Sequence, residues 1–232
     1  MKIKGFVKTS FIDWDGKVTS VIFLPGCNFR CPMCHNYDLI VSPEKYPDIS
    51  YAEIEEYITQ NIDFIDGVVI TGGEPTLCKD IDRLCTNLKE LGVGVKIDTN
   101  GYNPSKLKEL VEKKLVDYIA MDVKAPLDRS KYSAAAGIDI DVTIIKESIE
   151  FIKRSGVDYE FRTTVVPSFH TGKDVIDIAR SISPAKRYVL QQFVPENAFD
   201  EKLRKTKPYE KNFLEELAEE CKRFIKEVLV RA

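Results

Sequence analysis

The chain has 232 residues, 44% hydrophobic and 31% charged, with 34 basic and 37 acidic side chains for a net charge of −3. These proportions belong to a globular protein able to bury a sizeable core, and nothing in the overall balance points to a nucleic-acid or membrane partner, although it is compatible with a local basic patch. Residues 1–8 carry no apolar export stretch and no apolar run is long enough to span a bilayer, so the expectation is a cytoplasmic protein.

Short β-branched runs alternate with longer amphipathic stretches along the chain. The first predicted strand, residues 18–24, leads into Cys27-Asn28-Phe29-Arg30-Cys31-Pro32-Met33-Cys34-His35, a C-x3-C-x2-C run. Ser50 and Glu53 then form a capping box, with Ile49 and Ile54 spaced as a hydrophobic staple, which opens a helix. A strand over residues 67–71 ends in Gly72-Gly73-Glu74-Pro75, and Cys78, Ile81, Leu84, Cys85 and Leu88 follow on one helical face. The strand over 93–98 ends in Asp98-Thr99-Asn100-Gly101, and Asn103-Pro104 opens a helix carrying Leu107, Leu110 and Val111. A strand over 117–122 leads into Val123-Lys124; helices marked by Ile145, Ile149 and Ile152 and by Val175, Ile178, Ala179 and Ile182 flank a strand over 159–165. A strand over 187–193 contains Gln191 and Gln192. After a polar, proline-containing segment over 195–208, a final helix is predicted over 210–230, with Leu214, Leu217, Cys221, Phe224, Ile225 and Val228 as its stripe.

Six strands alternating with helices imply an α/β fold with parallel pairing through right-handed crossovers. Periodicity leaves two architectures open, part of an eight-stranded barrel or an open doubly wound sheet. No linker-like composition interrupts the chain, so residues 1–232 read as one domain. In either architecture ligands lie outside the carboxyl ends of the strands, where the cysteine run, the Gly-Gly-Glu-Pro turn, Asp98, Asp122 and the glutamines fall.

Three clustered thiols in a reducing compartment point to metal or catalysis rather than disulfides. Soft thiolates select zinc, Cu(I) or an iron–sulfur cluster. A closed zinc site or an ordinary four-iron cluster takes four ligands, whereas a cubane held by three leaves one iron open to another ligand. Cys31-x-x-Cys34-His35 also matches a c-type haem attachment pattern, against which stand the extra upstream cysteine and the missing export signal. Cys78, Cys85 and Cys221 are expected in the core. Paired glycines at 72 and 73 let a backbone approach a ligand closely, and Glu74 adds an acceptor for an ammonium. Asp98 and Asp122 at strand ends call for a cation or a hydrogen-bonding substrate, and Lys124 is a candidate partner for an anion. Asn100-Gly101 is also an ordinary turn dipeptide. His170 reads as a loop residue, and with only two histidines a hydrolytic triad is disfavoured.

The run from Gly26 through Cys27, Cys31, Cys34, His35 and Asn36, together with Gly72-Gly73-Glu74-Pro75, resembles the radical S-adenosylmethionine superfamily. Within it the chain is similar to the glycyl-radical-enzyme activases, and most of all to those that activate anaerobic ribonucleoside-triphosphate reductases. The similarity runs through residues 5–12, 23–36, 68–75, 96–101, 121–126, 158–167 and 187–193.

The resemblance implies a partial barrel of six βα units with a C-terminal helix. It implies a [4Fe–4S] cluster on Cys27, Cys31 and Cys34, whose fourth iron is chelated by S-adenosylmethionine. Gly72, Gly73 and Glu74 would hold the amino group, Lys124 and Arg162 the carboxylate, and Gln191 or Gln192 the adenosine. Asp98, Asn100 and Asp122 belong to the same cofactor-binding set, and Asp98, Thr99 and Asp122 match a monovalent-cation site. Met33 departs from the aromatic residue usual before the third cysteine.

The implied activity is reductive cleavage of S-adenosylmethionine to methionine and a 5′-deoxyadenosyl radical, which takes a hydrogen from a glycine of a partner reductase. The implied partners are that glycyl-radical enzyme and a low-potential donor such as flavodoxin or ferredoxin, and residues 38–47 and 195–208 would form the surface for the glycine loop. The rival readings are a radical enzyme acting on a small molecule, as in deazapurine synthesis, and an iron–sulfur or haem electron carrier without catalysis.

Overall fold

The computed structural model describes residues 1–231. The elements run, in chain order, β1 (Gly5–Ser10), β2 (Thr19–Leu24), α1 (Asp38–Val41), α2 (Tyr51–Gln60), β3 (Gly67–Gly72), α3 (Ile81–Glu90), β4 (Gly94–Thr99) and α4 (Pro104–Glu112). There follow β5 (Tyr118–Asp122), α5 (Arg129–Ala136), α6 (Val142–Arg154), β6 (Asp158–Val165), α7 (Gly172–Ile182), β7 (Arg187–Gln192), α8 (Lys211–Cys221) and β8 (Glu227–Arg231). Among the described residues the sheet has eight strands in sequence order, β1 to β8. The α/β class and the mostly parallel sheet expected from the strand–helix alternation are present.

The chain divides into two compact units that do not follow each other along the sequence. The first takes residues 1–28, 36–99 and 105–119; among the described residues the second takes 29–35, 100–104 and 120–231. In the first, β1 pairs antiparallel with β2, then β2, β3 and β4 pair in parallel. The middle of β3, Val68, Val69 and Ile70, is wholly buried, as befits a parallel strand covered on both faces. Trp14, in the β1–β2 connection, lies against the first residues of β3 and β4. A Cβ on Gly67 would stand 2.8 Å from its ring, and one on Gly94 would stand 3.2 Å away. In the second unit β6, β7 and β8 are parallel. Glu160 on β6, 1% exposed, meets Arg231 of β8 in a two-pronged ion pair at 2.9 and 2.8 Å.

Three expectations need correcting. The predicted final helix over 210–230 stops at Cys221, and residues 227–231 form β8, because the helical stripe Leu214, Leu217, Ala218 and Cys221 gives way to the alternating Val228 and Val230. Residues 5–10, not predicted as a strand, form β1. Their burial pattern is mostly half-buried or exposed, so the residues offered no apolar run. Helix α5 also went unpredicted, since Arg-Ser-Lys-Tyr-Ser-Ala-Ala-Ala has no apolar stripe. Its readable signals were the caps: Asp128, which accepts from Lys131 N at 3.0 Å, and Gly137 at φ 69°.

Elsewhere local chemistry decided the elements as expected. The Ser50–Glu53 capping box opens α2, Pro104 is the first residue of α4, and Ile145, Ile149 and Ile152 form the buried face of α6.

Helix α7 opens on a capping box between Thr171 and Asp174. Asp174 Oδ2 accepts from Thr171 N at 2.9 Å and Thr171 Oγ1 at 2.6 Å, while Oδ1 meets Lys131 Nζ at 2.5 Å. Burial alone would raise the Asp174 carboxyl, but the bonds from Lys131 and Thr171 outweigh it and hold the group down at about 2. The unfolded chain therefore takes up this proton first on acidification. The stabilisation is complete above the unfolded value of 3.8 and is lost as pH falls towards 2. Asp174→Ala is expected to cost about 1–2 kcal/mol at pH 7. The gap between wild type and variant in urea midpoints should narrow steadily below pH 4; a gap unchanged down to pH 2.5 would contradict this account of Asp174.

Candidate active site

In the first unit the end of β3 is pressed against the segment that follows β2. Gly73 N donates to Leu24 O and Glu74 N to Gly26 O, both at 2.8 Å. A Cβ on Gly73 would lie 1.9 Å from the Gly26 carbonyl oxygen, and one on Gly72, at φ 108°, would lie 2.5 Å from that of Leu24. Only glycine fits at either position. Asn36, just beyond the cysteine run, donates Nδ2 to Gly72 O at 3.1 Å, and Gly26 N donates to Leu39 O at 3.1 Å. Cys27 is half-buried on this same segment and lines a cavity of about 610 Å³ with Gly26, Leu77, Cys78 and Lys79.

Glu74 is 1% exposed and works within the protein. Its Oε1 accepts from Thr76 N at 3.1 Å, Thr76 Oγ1 at 2.5 Å and Thr99 Oγ1 at 2.8 Å. The carboxylate thereby ties the end of β3 to the end of β4. Asp98 stands 3.7 Å from the buried Lys96 ammonium, which donates to Asp13 O and lies 5.3 Å above the Tyr118 ring. Sequence reasoning did not single out Lys96.

In the second unit the rest of the cysteine run is fastened on both sides. Arg30 N donates to Ala136 O at 2.9 Å, and a Cβ on Gly137 would lie 2.0 Å from Arg30 O. Asp200 N donates to Pro32 O at 2.9 Å, and Cys34 N to Cys31 O at 3.0 Å. Cys31 is buried, Cys34 half-buried, and all six cysteines are free thiols. Arg30, Pro32 and residues 199–202 line a cavity of about 420 Å³.

Asp122, Lys124 and Arg162 form a charged trio in this unit. Asp122 Oδ2 meets Lys124 Nζ at 2.9 Å and Oδ1 meets Arg162 Nε at 2.8 Å. Burial works against the Asp122 charge, but Arg162 and then Lys124 outweigh it and hold the carboxyl at about 2. Burial likewise works against the Lys124 charge, and Asp122 followed by the Cys31 sulfur keeps the ammonium protonated, with its pKa raised. Asp122 was expected beside Asp98 and Thr99 as a cation ligand; both its oxygens serve Lys124 and Arg162 here, and Thr99 Oγ1 serves Glu74. Asn100 Oδ1 accepts from Tyr102 N at 2.9 Å, the ordinary turn bond of an Asn-Gly pair.

Gln192 donates Nε2 to Tyr209 O at 3.0 Å, and its Oε1 is buried with no partner among the described residues. Such an acceptor invites a ligand N–H or O–H. Cys85 and Cys221 are buried in the core as expected, and burial pushes each thiol up to about 12. Cys78 departs from expectation: it sits in the turn before α3 and lines the cavity beside Cys27.

Among the described residues no three His, Cys, Asp or Glu side chains form a compact metal-ligand group. A cluster's case therefore rests on donor chemistry and loop placement: three free thiols on one run, a protonated lysine held near Cys31, and a glycine backbone cradle at the base of the run. Those features fit an iron–sulfur cluster with three protein ligands.

Comparison with known proteins agrees. The profile of the Radical SAM superfamily matches residues 21–182. A Methanocaldococcus jannaschii protein named as a glycyl-radical enzyme activating enzyme is 39% identical over 99% of this chain and 95% of its own length. The pyruvate formate-lyase-activating enzyme of Clostridium pasteurianum is 26% identical over 75% of this chain and 73% of its own.

Among solved structures, Streptococcus suis SuiB bound to its precursor peptide SuiA superposes with TM-score 0.70 at 18% identity, over 90% of this chain and 47% of that one. SuiB bound to S-adenosylmethionine gives TM-score 0.64 at 16% identity, over 91% and 48%. The chain spans about half the length of SuiB, and at that identity the likeness speaks for the fold.

Gly73→Ala tests the backbone cradle. With its methyl group 1.9 Å from a carbonyl oxygen, the variant must displace the base of the cysteine run. The expected outcome is a lower melting temperature together with reduced iron retention after anaerobic reconstitution. Normal values of both would contradict the close approach.

Proposed function

The chain belongs to the radical S-adenosylmethionine superfamily and to its glycyl-radical-enzyme activases, and from that premise we propose that it installs a glycyl radical on an anaerobic ribonucleoside-triphosphate reductase. Members of this superfamily use a [4Fe–4S] cluster and S-adenosylmethionine. The observation that carries the reading is the cysteine run based on the Gly26–Gly73 backbone contact, with Lys124 and Arg162 held by Asp122 in the second unit.

In this proposal Cys27, Cys31 and Cys34 hold the cluster, and the backbone around Gly72, Gly73 and Glu74 receives the amino group of S-adenosylmethionine. Lys124 and Arg162 receive its carboxylate through charge-assisted hydrogen bonds. Asp122 keeps both bases charged and fixed in place. Gln192 Oε1 accepts from the adenosine, while Asp98 and Asn100 shape the ends of their loops. When bound, the cluster and S-adenosylmethionine supply one-electron reductive cleavage to methionine, the adenosyl fragment leaving as 5′-deoxyadenosine after taking one hydrogen atom from a glycine Cα.

The protein's share is orientation and exclusion of water around that event. A flavodoxin or ferredoxin supplies the electron, and the partner's glycine loop docks against residues 195–208, which are bonded to the cysteine run through Asp200 N and Pro32 O.

The test is anaerobic reconstitution, reduction, and incubation with S-adenosylmethionine and a panel of glycyl-radical enzymes. The expected result is 5′-deoxyadenosine together with a glycyl EPR doublet on the ribonucleotide reductase, both lost in Cys31→Ala. A doublet on a different glycyl-radical enzyme alone would reassign the partner, and cleavage with no protein radical would favour a small-molecule substrate. Full cleavage by Cys31→Ala would end the radical-enzyme reading of this site.

A further inference from the structure

His170 lies in the connection between β6 and α7, 1% exposed, with both ring nitrogens engaged. Val166 N–H donates to Nδ1 at 3.0 Å, which makes Nδ1 the acceptor and leaves the proton on Nε2. Nε2 therefore donates to the Lys124 carbonyl oxygen at 2.8 Å. Burial holds the imidazole neutral, with its pKa lowered, so this tautomer persists at neutral pH.

Lys124 is gripped at its other backbone group too, since its N–H donates to the buried Tyr132 hydroxyl at 3.2 Å. The His170 main chain faces a second ligand-binding candidate. Its carbonyl accepts from Tyr209 OH at 2.9 Å, and Tyr209 O accepts from Gln192 Nε2 at 3.0 Å. One residue thus links the backbone under Lys124 to the strand end that carries the buried Gln192 acceptor.

We propose that His170 is a positioning residue for S-adenosylmethionine, aligning Lys124 through Nε2 and bracing Gln192 through Tyr209. The inference rests on the reading of Lys124 as a contact for the ligand carboxylate. A carboxylate bound by a long, flexible ammonium side chain is held only as well as the backbone beneath it. A ring donor on the Lys124 carbonyl does for this lysine what an outer hydrogen bond does for a metal-bound histidine.

Two variants separate positioning from simple structural support, because each keeps one ring nitrogen's function. His170→Asn retains an acceptor near Nδ1 for Val166 N–H and loses the donor to Lys124. His170→Gln reaches Lys124 O and leaves Val166 N–H without its acceptor. Positioning predicts that His170→Asn raises KM for S-adenosylmethionine, and its calorimetric Kd on the oxidised, cluster-loaded enzyme, about tenfold. His170→Gln should stay within about threefold of wild type while melting at a lower temperature than His170→Asn. Purely structural support predicts the reverse ranking, with weaker binding following the lower melting temperature, and would overturn the proposal.

Lys124→Met is the control for the underlying reading. If it binds S-adenosylmethionine normally, the carboxylate role of Lys124 falls and this inference falls with it. If Lys124→Met binds weakly and His170→Asn binds normally, only the role of His170 falls. Should His170→Asn fail to fold, Tyr209→Phe decides, since it removes the hydroxyl bonded to the His170 carbonyl: a rise in Kd of about threefold supports the proposal, and an unchanged Kd overturns it.

Discussion

The contact between Gly73 and the Gly26 carbonyl oxygen is the constraint on which the site depends. Two segments come within a distance that excludes even a methyl group, and two backbone hydrogen bonds, Gly73 N to Leu24 O and Glu74 N to Gly26 O, hold them there. Cys27 leaves this contact directly, so the base of the cysteine run is set by main-chain geometry rather than by flexible side chains. Glu74, buried beside it, converts the end of β3 into a hydrogen-bonded junction with Thr76 and Thr99. A carboxylate oxygen that accepts several hydrogen bonds is fixed in place, which suits it to rigidify a loop.

The second unit organises charge. Asp122 between Lys124 and Arg162 is a largely buried arrangement in which the carboxylate is the shared partner, so its removal takes a counter-charge from both bases at once. The Tyr132 hydroxyl accepts from Lys124 N–H and His170 Nε2 donates to the Lys124 carbonyl, so the main chain of the lysine is held on both sides. The cysteine run is fastened in the same unit by the end of α5 and by Asp200, so backbone hydrogen bonds rather than side chains again locate the reactive segment.

The sequence by itself determined the alternation of strands and helices, the cysteine triplet and the glycine pair, and with them the family. These are short-range features: a helix stripe, a capping box and a C-x3-C-x2-C spacing are each complete within a few residues. The tertiary structure decided what depends on distant partners. β1 is a strand because β2 pairs with it, although most of its residues are half-buried or exposed. Cys78, spaced like a core residue of α3, lines a cavity because the helix starts three residues later. Asp122 serves two bases 2 and 40 residues away along the chain, and His170 serves a carbonyl 46 residues away. No local pattern encodes such separations: a lone histidine in a loop has the same sequence signature whether it faces solvent or holds the backbone of a binding residue, and only the folding of the chain around it makes the difference.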